Sequence, residues 1–183
     1  MSTYASVHLV REIASARQGF LATAGAPSLA QAAFKTAPDA WSITEITEHV
    51  TLGEQGGING VWRALEGLRS GQPAWSGELI HHGRSIEEIG AATWRDREQA
   101  PRGTTPRWGG PFAYWAAALR ACQPLLEELG DALEGAPLEA VVFPHPISGP
   151  LDARQWLEFF RFHLDRHAAQ VERVRRHPEF PSA

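Results

Sequence analysis

Cysteine is nearly absent: one residue, Cys122, in a chain of 183. That excludes an intramolecular disulfide and any zinc site built on cysteine pairs, and it fits a reducing cytoplasm. An excess of positive charge is missing too. Seventeen lysines and arginines stand against 21 aspartates and glutamates, a formal net charge of −4. No broad basic field exists to draw nucleic acid or anionic lipid. Long apolar runs are also lacking, since no segment reaches the roughly 18 residues that a membrane span needs. The opening segment MSTYASVHLVREIASARQGF carries Arg11 and Glu12 inside its apolar stretch, which fits neither a signal peptide nor an anchor. No internal repeat or low-complexity tract is visible. What remains is the make-up of a soluble globular protein, 43% apolar and 21% charged. A chain of this length buries roughly two-thirds of its unfolded surface without metals or disulfides. One domain over residues 1–183, in the cytoplasm, is the expectation. Against the single cysteine stand eight histidines.

Glycine and proline crowd between Gly67 and Pro150, leaving cleaner helical stretches on both sides. A first helix is expected from Tyr4 to Ala24, with Val7, Val10, Ala14 and Leu21 near one face. Pro27 and Pro38 bracket a short Ala-rich stretch. Ser42 with Glu45 three positions on has capping-box spacing, and opens a second helix whose stripe runs Ile46, Val50, Gly53, Gly57, Val61, Ala64 and Leu68. A break of about forty residues follows, long enough for a crossover and holding a short helix from Ser85 to Gln99. From Phe112, apolar residues at Trp115, Leu119, Cys122, Leu126, Leu129 and Leu133 form a bundle seam, with Pro124 expected to kink or split it. A last helix is expected from Pro150 to Arg176. No alternating strand pattern stands out, so the fold class is all-α: a four-helix bundle with a long crossover between helices 2 and 3.

His163 and His167 are four residues apart on the last helix, one turn apart on the same face, so both imidazoles can reach one metal ion. They lie between Phe160 and Val171 on the apolar stripe, where unpartnered imidazoles would be costly. A packed pair is the alternative. His49 lies beside Ile46, Val50 and Gly53 on the inward side of the second helix and is the candidate third ligand; taken alone, it equally fits a hydrogen-bonded core histidine. Gly53, Gly56, Gly57 and Gly60 each cost a helix interior about 1 kcal/mol relative to alanine. They point to a close helix approach or to ligand space beside the helix.

The segments WSITEITEH (Trp41 to His49), HPISGPL (His145 to Leu151) and WLEFFRFHLDRHAAQ (Trp156 to Gln170) resemble the DinB/YfiT-like superfamily of metal-binding four-helix bundles. The resemblance implies up-down-down-up connectivity and a divalent metal, zinc first with nickel or iron as alternatives, on His49, His163 and His167. It also implies, for some members, thiol-dependent S-transfer or isomerisation with bacillithiol, mycothiol or glutathione.

Three nitrogen ligands leave coordination positions open, as in catalytic sites. A thiol or water activated there could attack a small electrophile, so the partners expected are a low-molecular-weight thiol and an electrophile, with no nucleic acid and no membrane. Cys122, on an apolar seam, reads as inert, which makes any sulfur chemistry depend on an external thiol. Gln170 and Glu45 are candidates to orient ligands, and each has an equally good solvated or capping role. His145 reads as a loop-fixing residue or as part of a pocket mouth. His81 and His82 are expected to be exposed, while His8 and His177 have no partner at metal spacing. Arg161, Arg166, Arg173, Arg175 and Arg176 read as a solvated helix face. Trp75, Trp94 and Trp108 fall in the crossover, where a lid could form. The alternative function is a non-catalytic metal-binding or stress-response interaction module. A homodimer through exposed apolar positions of the first or third helix is a further expectation.

Overall fold

The computed structural model describes residues 5–95 and 99–182, and its chain is mostly helical. Helix α1 spans Ala5–Ala24 and α2 Leu29–Ala33. The long α3 spans Ile43–Arg69, α4 Ile86–Thr93, α5 Phe112–Arg120 and α6 Cys122–Ala132. A single 3-10 turn, Leu138–Ala140, leads into a hairpin of β1 (Val142–His145) and β2 (Gly149–Asp152), and α7 closes the chain over Ala153–Arg175. Packing runs α1 on α7 and α6, and α3 on α7, α5 and α6. Among the described residues, no helix is long and apolar enough to cross a membrane.

Local chemistry fixes the helix starts. Ser42 accepts from the Glu45 N–H at 3.2 Å, while the Glu45 carboxylate accepts from the Ser42 N–H at 2.8 Å. Ser85 and Glu88 repeat this box at α4, and Ser28 and Gln31 at α2. Pro124 splits the seam helix as its chemistry demands: it has no N–H for the Arg120 carbonyl, and the break falls at Ala121.

The mostly helical chain is consistent with the all-α class, and three details need correction. The chain does contain strands: β1 and β2 pair antiparallel, Val142 opposite Asp152 and His145 opposite Gly149, with Gly149 at φ 79° where β2 leaves the turn. Four-residue strands holding Pro144 and Pro150 show no alternation, and proline is tolerated because each strand of a two-stranded ribbon has a free edge. The last helix therefore starts at Ala153 rather than Pro150, with Asp152 as its cap, accepting from the Gln155 N–H at 2.8 Å. Helix α4 is also shorter than the expected Ser85 to Gln99, ending at Thr93. Trp94 is extended, and its indole Nε1–H donates to Ser148 Oγ at 2.8 Å on the hairpin. Residues 96–98 of the expected helix lie outside the described residues.

The core joins Val10, Ile13 and Phe20 of α1 to Ile46, Val50 and Val61 of α3, Leu126 and Leu129 of α6, and Leu157, Phe160 and Leu164 of α7. Two glycines on α3 permit the close approach. A Cβ on Gly57 would lie 2.6 Å from Phe160 Cε1, and one on Gly60 2.2 Å from Phe143 Cε1. Among the described residues an ion pair is buried inside: Arg17 Nη2 and Glu54 Oε2 stand 2.8 Å apart, with Gln123 also bonded to Arg17.

Candidate metal centre

The second turn of α3 and the middle of α7 bring three imidazoles together. His49, His163 and His167 are all buried, and their ligating nitrogens lie within 4.8 Å of one another. His49 Nε2 and His163 Nε2 are 3.1 Å apart. Ring centroids are 4.7 Å apart for His49 and His167, and 4.4 Å for His163 and His167. The i, i+4 spacing on α7 placed its pair on one face, and α3 supplies the third ring across the helix contact. Gly53 leaves the room for it: a Cβ there would sit 3.2 Å from His163 Cε1.

Hydrogen bonds define which nitrogen is free. His49 Nδ1 faces the Thr104 carbonyl at 2.9 Å. A carbonyl only accepts, so Nδ1 carries the proton and Nε2 keeps its lone pair. His167 Nδ1 donates to Gln170 Oε1 at 2.7 Å, which likewise frees Nε2. Burial depresses all three pKa values. His167 falls to about 3, and His163 falls well below the usual imidazole range, with His167 and His49 nearby adding to its desolvation. Burial lowers His49 as well, against the opposing effect of the Thr104 carbonyl. The rings are therefore neutral at neutral pH, the form that ligates metals.

The donor set fits a first-row divalent ion. Two nitrogens each about 2.0–2.1 Å from one ion lie roughly 2.9 Å apart at a right angle and roughly 3.4 Å apart at the tetrahedral angle. The 3.1 Å between His49 and His163 falls inside that interval. Around the rings the walls are aromatic. Trp41 lies 4.8 Å from His49, and Phe159 stacks on His163 at 5.1 Å with Trp94 at 6.4 Å. Arg166 lies over the Trp94 face at 5.4 Å.

The other sequence candidates separate cleanly. Gln170 does meet His167. Glu45 does not meet His49; it caps α3 and pairs with Lys35 at 2.7 Å, and His49 spends its N–H on Thr104 instead. His145 is buried in the hairpin, where Nδ1 accepts from the Ile147 and Ser148 N–H groups at 3.2 and 3.1 Å, fixing the turn. His81, expected to be exposed, is buried, because Gln155 at the start of α7 donates to its carbonyl at 2.7 Å and its Nε2 lies 2.7 Å from the Ser148 carbonyl. His82 is exposed, as is His8 beside Glu12, while His177 is half-buried beside Phe34. Cys122 is buried, and its thiol is pushed up to about 12 by burial and by Glu54, so it is inert at neutral pH. Of the tryptophans singled out for a lid, Trp94 stands beside the triad, whereas Trp108 is 69% exposed.

Two contributors were not foreseen. Thr104 acts through its backbone carbonyl, which leaves no trace in residue type. Glu48, fully buried, accepts from the backbone N–H groups of Arg107 at 2.7 Å, Trp108 at 2.8 Å and Gly109 at 3.1 Å. Its one sequence signal is a carboxylate between two inward residues, Thr47 and His49.

The sequence profile of the DinB superfamily matches residues 12–171 of this chain. No curated protein and no solved structure matches it.

Proposed function

Since the chain belongs to the DinB superfamily, we propose that His49, His163 and His167 hold a divalent metal ion and that the protein is a metal-dependent S-transferase using a low-molecular-weight thiol. The observation that carries this is the pair of fixed tautomers. Thr104 and Gln170 each occupy Nδ1 of a ring whose Nε2 lone pair is thereby left for an ion. When bound to neutral ligands, such an ion supplies Lewis acidity that makes a thiol, or a water, nucleophilic near neutral pH. Zinc is the first expectation, with nickel and iron as alternatives, because imidazole suits all three.

The chain's own residues bind, orient and exclude water. The three histidines bind; the Thr104 carbonyl and the Gln170 amide orient; Trp41, Trp94 and Phe159 keep the surroundings apolar. The sulfur comes from outside, since the buried Cys122 stays protonated. The same proposal takes α1, α3, α5 with α6, and α7 as the four helices of an up-down-down-up bundle, one domain over residues 1–183 in the cytoplasm. It includes a homodimer through the third helix, where Tyr114 and Leu125 are exposed. The depth of the rings favours a second reading, a non-catalytic module in which the ion braces the bundle.

Metal analysis of untagged protein tests the site. About one equivalent of metal is expected in the wild type and none in the His163→Ala/His167→Ala double variant; metal retained by that variant refutes the assignment. Conjugation of chlorobimane with bacillithiol, mycothiol or glutathione then separates the two readings. Metal-dependent conjugation supports the transferase, and a loaded protein inert with all three thiols supports the brace.

A further inference from the structure

The segment from Thr104 to Gly109 is tied to α3 at two consecutive residues. At one end the Thr104 carbonyl meets His49 Nδ1 at 2.9 Å. At the other, both oxygens of Glu48 are used: Oε1 accepts from the N–H groups of Arg107 and Trp108, and Oε2 from Gly109. Three successive amides converging on one carboxylate form an anion-holding nest. Gly109 and Gly110, at φ 64° and 92°, supply the left-handed backbone that follows it. The ends of the segment are also braced to each other. The Arg107 guanidinium folds back to donate to the carbonyls of Arg102 at 3.0 Å, and of Gly103 and Thr105 at 3.3 Å, on both sides of Thr104. A shift at residues 107–109 is therefore transmitted to the Thr104 carbonyl.

We propose that Glu48 is a positioning residue of the three-histidine centre: its buried carboxylate fastens the 104–109 segment to α3 so that the Thr104 carbonyl holds His49 with Nε2 turned toward His163. Glu48 touches no ligand position itself. It acts at one remove, through a backbone carbonyl that no substitution can delete. A carboxylate is the suitable group because it presents two acceptor oxygens and no donor. Glutamine keeps the size but replaces one of those oxygens with an NH2 group, which must then face an amide N–H.

The tautomer assignment is independent of any metal, whereas the affinity arm of the test rests on the metal-binding proposal above. The experiment compares wild type, Glu48→Gln, Glu48→Ala and a core control, Leu126→Ala, chosen to lower the melting temperature without touching the segment. In apoprotein, 15N–1H correlation of the imidazoles reports the His49 tautomer. The wild type is expected to show the Nδ1–H form alone, both Glu48 variants a mixture with the Nε2–H form, and Leu126→Ala the wild-type pattern. Formate added to Glu48→Ala is expected to restore the single tautomer by occupying the nest. In a Co(II) titration, the Glu48 variants are expected to bind roughly 10- to 100-fold more weakly, the range for residues that orient a ligand. A wild-type tautomer in Glu48→Gln, or an equal disturbance in Leu126→Ala, overturns the proposal. If the wild type itself takes up no Co(II), the metal assignment fails while the tautomer comparison still decides the role of Glu48.

Discussion

Alanine substitution along the glycine face of α3 should separate stability from metal affinity, because a Cβ finds different surroundings at each glycine. Gly56 is exposed and a Cβ there meets nothing within 4 Å. Gly56→Ala should therefore gain the full helix propensity difference, about 1 kcal/mol, raising the melting temperature by roughly 2–4 °C for a protein of this size. At Gly57 a Cβ would lie 2.6 Å from Phe160 Cε1 and 2.7 Å from Trp156 Cζ3. Both rings are held in the core, so overpacking of about 1–3 kcal/mol outweighs the propensity gain. Gly53 is the informative case. Its Cβ would lie 3.2 Å from His163 Cε1, a few tenths of an ångström inside ordinary carbon contact at about 3.5 Å. The ring must yield by that amount while Phe159 stacks on it. Apoprotein stability should change by less than about 1 kcal/mol, as propensity offsets contact, while His163 Nε2 leaves its place opposite His49. Urea melts followed by circular dichroism, paired with Co(II) titration, measure both quantities. The expected order of stability is Gly56→Ala, then wild type with Gly53→Ala, then Gly57→Ala. Gly53→Ala should bind the ion at least several-fold more weakly, and Gly56→Ala should bind it as wild type. A Gly53→Ala protein with unchanged affinity, or a Gly57→Ala protein more stable than wild type, would refute the reasoning.

Three further outcomes follow from buried polar groups. Burial lowers His145 to about 4, against about 6.5 in the unfolded chain. Its folded pKa is the lower one, so the stability is fully present above pH 6.5 and is lost as pH falls toward 4, by about 3 kcal/mol. Urea melts of apoprotein at pH 7.5 and 4.5 should show this loss, with a smaller one in His145→Asn; equal losses would exclude His145 as a source. Removing Arg17 leaves Glu54 buried without its cation, so Arg17→Ala should cost about 3–5 kcal/mol, whereas Arg17→Met/Glu54→Leu should recover most of it. A double variant no better than the single would show that packing, not charge, is at stake. Gln170→Ala removes the acceptor of His167 Nδ1 and should weaken Co(II) binding roughly 10- to 100-fold, with Gln170→Glu restoring much of it. Unchanged binding in Gln170→Ala would assign that contact no orienting role.

The residues that sequence made legible carry their information in side-chain type and helical phase. Ser42 with Glu45 marked the start of α3, Pro124 marked the α5–α6 break, and His163 with His167 declared a shared face. His49 followed because it lies on the inward stripe of α3. What escaped depends on backbone placed by distant packing. The hairpin at Val142–Asp152 has strands too short to alternate, and Thr104 contributes a carbonyl that any residue would possess. His81 is buried because Gln155, 74 residues away in the chain, pulls its carbonyl inward. Glu48 resembles any helical glutamate until the loop that crosses it is in place.

His49 and His163 are 114 residues apart in the chain, which has a consequence for assembly. Of the three site histidines, an unfolded chain brings only the α7 pair close together, and closing so long a loop to add His49 carries a substantial entropic penalty. The three-nitrogen site comes into being only when α3 has packed against α7, so an ion bound there would favour the packed form by mass action. Unlike the small domains that a zinc ion folds outright, this chain would take up its ion as a late arrival into finished architecture.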